Sequence, residues 1–224
     1  MKKLMAALAA MTLAVPVMAE PEIKEWNTYH SMGCMLVRDC KEGVDKINSV
    51  DDIIENAPGL ESIREEMADL LSLFNELGIE VFLADGKYFV PRTRGIYTTE
   101  GNKFFLNRDW MSSPEVILSV TRHEGWHAAQ DCMAGSLHNS SIAVIHHDGY
   151  IPNSYRMRAD IAYGGGPAVP WETEAMWAAE QPSVTANALR ACASPDGKMW
   201  DVYPPTPMTG EWLVDNDYWS GETK

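Results

Sequence analysis

Two histidines four residues apart, with a glutamate directly after the first, carry the clearest chemical signal in the chain: His123-Glu124-Gly125-Trp126-His127. On a helix, positions four apart lie on one face, one turn above each other. Two imidazoles so placed can share one zinc ion. Glu124 follows the first histidine, so it lies near that face without having to bind the ion. That is where a general base for a zinc-activated water belongs. A surface helix that happens to hold these residues is the plain alternative. With 6 histidines in 224 residues, chance makes such a match rarely.

The flanking sequence supplies elements to position these groups. Ser112 or Ser113 can cap a helix, Pro114 suits its first turn, and Glu115 favours the positive end of the dipole. Val116, Ile117, Val120 and Ala128 are spaced to bury one face near the histidines. Upstream, Leu60, Ile63, Met67, Leu70, Leu71, Phe74 and Leu77 recur at helical spacing, and Gly78 is a C-cap. Strands are expected at Ile79–Leu83, Tyr88–Val90, Gly95–Thr99 and Lys103–Asn107, with turns at Asp85-Gly86 and Glu100-Gly101-Asn102. Gly33–Val37 and Val44–Val50 are weaker strand candidates. After Gly135 the chain is loop-rich to residue 169, with Tyr155–Tyr163 as a short helix. A helix from Pro170 to Glu180 places Trp171, Ala175 and Ala178 on one face, and Val184–Cys192 forms another. The tail is rich in proline and aromatics, which suit packing across the domain surface better than sugar binding.

The motif and its context resemble the active-site helix of the HExxH zinc metallopeptidases, the zincins. The resemblance covers a short segment, not the whole chain. It implies an α+β, zincin-like fold in which a small, mostly antiparallel sheet packs on the HExxH helix, followed by a helical C-terminal part. It also implies one zinc ion per chain, a peptide or protein substrate, and an edge strand that binds extended substrate along the cleft. Phe104–Asn107 is the candidate edge, a plain core strand being the other reading.

A catalytic zinc needs a third protein ligand. The metzincin extension would place a histidine where Met133 stands, which excludes that type. The gluzincin type uses a glutamate on a downstream helix, and Glu172-Thr-Glu174-Ala resembles it. Glu174 is the expected ligand with Glu172 in reserve. Asp160-Ile-Ala-Tyr163-Gly164 partly matches the aspzincin pattern, but Met157 and Arg158 stand where that pattern has Gly-Thr. His146, His147 and Asp148 offer further ligands. Tyr155, Tyr163, His146 and His147 are open candidates for an oxyanion donor. The expected function is an exported zinc-dependent metallohydrolase, most simply a peptidase. The alternatives are a zinc-binding, non-catalytic interaction module and a carbohydrate-contacting envelope protein.

Composition narrows the partners. The chain holds 18 Lys+Arg against 32 Asp+Glu, a net charge of −14. Such a surface disfavours nucleic acid and anionic membranes. It could favour cationic substrates, though solubility is the plainer reading. Lys2, Lys3 and an apolar stretch ending at Ala19 read as a signal peptide over 1–19. A metallohydrolase domain over 20–192 and an aromatic- and Pro-rich extension over 193–224 follow. No later stretch suits a stable membrane insertion. The protein is expected in the periplasm or secreted, its oligomeric state left open. An even 4 cysteines in an exported chain argue for disulfides. Of three connectivities, Cys34–Cys40 with Cys132–Cys192 is preferred.

Overall fold

A computed structural model describes residues 33–35, 40, 42–194 and 199–220. The expected signal peptide lies outside them. The chain is α+β, with a four-stranded mixed sheet and helices on either side of it in sequence. The strands are β1 (Val44–Lys46), β2 (Glu80–Ala84), β3 (Gly95–Thr98) and β4 (Lys103–Asn107). Their order is β1-β2-β4-β3, with antiparallel pairing at β1–β2 and β3–β4 and parallel pairing at β2–β4.

That order corrects the expected edge. β4 lies between β2 and β3, so Phe104–Asn107 is an interior strand and β3 is the edge beside the motif helix. The reason is burial on both faces. Phe104 and Leu106 join the main core, while Phe105 faces a second cluster with Phe82, Phe89 and Met35. A run of adjacent apolar residues is the mark of a strand covered on both sides. Two other expected strands are not seen among the described residues. Tyr88 ends a 3-10 turn at Gly86–Tyr88, and residues 33–35, the described part of the expected Gly33–Val37 strand, are helical.

Helix α1 (Glu61–Glu76) buries Ile63, Met67, Leu70, Leu71, Leu73 and Phe74, the face its periodicity predicts. Gly78, at φ +73°, turns the chain out of it into β2. The motif helix α2 (Pro114–Met133) starts on Ser113, whose hydroxyl accepts from the Val116 N–H, with Pro114 in the first turn. It is enclosed by α1, β3, α4 (Val169–Ala178) and α5 (Val184–Cys192). Gly125 makes this possible, because a Cβ there would stand 2.9 Å from both Phe74 of α1 and Thr185 of α5.

Helix α3 (Asn153–Tyr163) packs on α4 and ends at Gly164 in the left-handed region. Helix α6 (Pro207–Asp215) closes the described chain. The tail aromatics pack inward: the Trp200 indole N–H donates to Met133 O (3.3 Å), and Tyr218 lies over Gly135. Disulfides join Cys34 to Cys40 and Cys132 to Cys192, the preferred connectivity. Two disulfides fit an oxidising extracellular compartment. Among the described residues no helix is long and apolar enough to cross a membrane.

Candidate metal centre

Helix α2 places His123 and His127 one turn apart, ring centroids 4.9 Å from each other. The third group comes from the first turn of α4. Glu172 lies with Oε2 at 3.3 Å from His123 Nε2 and Oε1 at 3.6 Å from His127 Nε2. Candidate ligand atoms of His123, His127 and Glu172 all fall within 4.8 Å of one another. Atoms bound tetrahedrally at about 2.0–2.1 Å from a zinc ion stand about 3.4 Å apart, so the spacing suits a small divalent cation. The chemistry of the set agrees: two imidazoles and a carboxylate are zinc donors. Glu172 Oε2 is buried with no hydrogen-bond partner among the described residues, a cost that a bound cation would remove.

The electrostatics favour positive charge at the same point. Burial pushes Glu172 up, but His123 and His127 more than offset it, holding its carboxyl well below the usual range. Burial lowers His127, but Glu172 and Glu124 outweigh that and hold it at about 9.

The structure sets Glu174, the expected ligand, elsewhere. Residues two apart on a helix point about 200° apart around its axis, so only one of the two acids can face the histidines. Glu174 falls within the stripe Trp171, Ala175, Ala178 and is 3% exposed. Its carboxylate accepts from Gln130 Nε2 (2.7 Å), the Trp126 indole N–H (3.3 Å), and the backbone N–H groups of Ile145 (3.0 Å) and His146 (2.7 Å). The Gln130 side-chain oxygen in turn lies 2.9 Å from His127 Nδ1. The protonated Nδ1 donates there, leaving Nε2 to face Glu172. Glu174 thus supports the candidate ligand His127 through Gln130 and lies outside the candidate group itself. The signal was legible in the sequence: an acid inside an apolar stripe is a buried carboxylate looking for donors.

Glu124 is buried beside the histidines. Burial pushes its carboxyl up, against the pull of His123 and His127. Its Oε2 accepts the Tyr97 backbone N–H of edge strand β3 (2.8 Å), and its Oε1 has no hydrogen bond among the described residues. Gly95 lets the strand come this close, since a Cβ there would stand 2.7 Å from Val120 Cγ1 and 2.9 Å from Glu124 Cγ. Behind it, the Tyr97 hydroxyl donates to Asp131 (2.8 Å), which is fully buried.

A cleft of about 680 Å³ opens over His123 and Glu124, between the segment Pro91–Gly95 and the helices α3 and α4. Of the four candidate donors, only Tyr163 lines it. Its hydroxyl is pushed up by burial and by Glu172, so it stays protonated. Tyr155 instead donates to Glu180 (2.7 Å). His146 and His147 line a separate cavity, and His146 is stacked on Trp126 and Tyr150. Burial lowers His146 to about 4, so it is neutral. Asp160 is exposed and outside the ligand group. The chain matches no family model, no curated protein and no solved structure.

Proposed function

We propose that the protein is a zinc-dependent hydrolase, most simply a peptidase, with His123, His127 and Glu172 as metal ligands and Glu124 as general base. The observation that carries the reading is the meeting of three donors from two helices beside a buried glutamate, with His123 and Glu124 lining an open cleft. The ligand set agrees with the gluzincin type that the motif resembles. When bound there, zinc supplies Lewis acidity, acidifying a water and polarising a carbonyl.

The protein groups divide the remaining work. The Tyr97 N–H holds one Glu124 oxygen, which leaves the other to take a proton from the attacking water. Glu124 then delivers that proton to the leaving amine. Tyr163, which lines the cleft, is the candidate donor to the developing oxyanion. Gly95, at the start of edge strand β3, lines the cleft, and β3 is the strand against which an extended substrate would align.

Metal analysis and turnover test this together. The purified chain should hold one zinc per molecule. Glu172→Gln should lose it, and Glu124→Gln should keep it while abolishing a chelator-sensitive cleavage of peptides. Full zinc retention in Glu172→Gln would remove that ligand assignment. Turnover by Glu124→Gln at the wild-type rate would remove the base.

A further inference from the structure

Unpaired positive charge lines the cleft of an acidic molecule. Acids outnumber bases by 32 to 18, so carboxylates are plentiful. Seven lysines and arginines among the described residues are ion-paired to carboxylates. Arg92, Arg94 and Arg156 have no carboxylate partner there. Two of these three, Arg92 and Arg94, line the cleft over His123 and Glu124. Arg156 lines the separate cavity of His146 and His147.

Local structure bears on both arginines, on the side chain of Arg94 and the backbone of Arg92. The Arg94 guanidinium lies 4.9 Å over the Trp110 ring, a contact that leaves its N–H groups able to donate. Arg92 occupies the third position of a turn closed by the Thr93 N–H and Val90 O (3.0 Å), after Pro91. Its φ is +76°, a value that favours glycine at that position. An arginine kept where glycine fits better is local strain at a site boundary. The opposite wall offers no competing free charge: Glu180 is bonded by Arg158 (2.7 Å) and Tyr155 (2.7 Å), and Ile161, 82% exposed, presents apolar surface.

We propose that Arg92 and Arg94 select substrates carrying a carboxylate close to the scissile carbonyl, so that this acidic protein acts on acidic peptides. The proposal rests on the hydrolase reading for the cleavage step but not for the binding. Strand β3 begins at Gly95, directly after the two arginines. A peptide aligned antiparallel to β3 therefore meets them with residues toward its own C-terminus. The carboxylate is that of an aspartate or glutamate side chain or of the peptide terminus, and the two chemistries are the same to a guanidinium fork.

The test uses three sets of short fluorescent peptides: acidic inside with an amidated end, neutral with a free C-terminal carboxylate, and neutral with an amidated end. Binding is read by anisotropy on zinc-loaded Glu124→Gln, and kcat/KM on the wild type. At least one carboxylate set should bind about tenfold tighter than the neutral amidated set, and its advantage should shrink as salt rises. The first two sets tell side-chain from terminal recognition. Arg92→Gly combined with Arg94→Gln should bring the ratio to about one. Arg92→Gly suits the turn, so lost folding is not the cause, and an unchanged melting temperature checks this. Equal binding of all sets, or a preference that survives the double substitution, overturns the proposal. A preference abolished by the substitutions, with no cleavage by the wild type, keeps it and removes the hydrolase reading. Cleavage without charge preference does the reverse.

Discussion

At the scale of single residues, the decisive pair is Glu172 and Glu174. They differ by two positions in sequence and by opposite tasks in space. One meets the imidazoles, and the other accepts donors from Trp126, Gln130 and the 145–146 backbone. Glu174→Gln should therefore leave full zinc occupancy at saturation but weaken affinity by about 10- to 100-fold, the usual cost of losing support for a ligand. A chelator competition titration reads the difference. Zinc affinity equal to wild type would show that the path through Gln130 does not reach His127.

The motif histidines were legible because their separation is set inside one helix, where geometry follows from count. The third candidate ligand was harder to read, because which acid faces the histidines depends on the rotation of α4, and only the apolar stripe Trp171, Ala175, Ala178 around Glu174 points to it. The same holds for the Tyr97 N–H on Glu124, and for Gly95, whose role is visible only once strand and helix meet.

Among the elements, the helices were the more readable. Val184–Cys192 has the expected bounds, and α2 begins on an expected cap. The sheet was less so: its strands are short, and their order depends on a parallel β2–β4 pairing across a long connection. The elements that complete the centre, α3 and α4, lie within the loop closed by Cys132–Cys192, a separation of 60 residues. This bond fastens the end of α2 to the end of α5. Replacing both cysteines by serine should cost about 2–4 kcal/mol, seen as a lower midpoint in urea. Because α4 bears Glu172, zinc should also partly restore the lost stability by binding the folded form. A midpoint unmoved by the double substitution would mean the helices hold that loop unaided.

For the whole molecule, the buried pair Tyr97–Asp131 sets a pH dependence. Burial pushes Asp131 up to about 7, with the Tyr97 hydroxyl pulling the other way, and its Oδ1 has no hydrogen-bond partner among the described residues. An unfolded aspartate titrates near about 3.9. Between these two values the native state holds a proton that the unfolded state has released. Stability from this group is thus complete below about 4 and is lost as pH rises through about 7. Asp131→Asn mimics the protonated form. It should reduce the fall in melting temperature between pH 5 and 8 and raise the value at pH 8 by about 5 °C. A wild-type melting curve that is already flat over that range would rule this out.

The hold of Glu174 on the 145–146 backbone also bears on how kindred chains are to be found. His-Glu-x-x-His describes two ligands and a base, and many helices satisfy it without a centre around them. His123-Glu124-x-x-His127-x-x-Gln130 with a later Glu172-x-Glu174 describes the ligands, the amide that orients one of them, and the carboxylate that orients the amide. A query written in that longer form asks for the whole arrangement of two helices and a loop around the candidate centre. It would separate chains that share this architecture from chains that share only five letters.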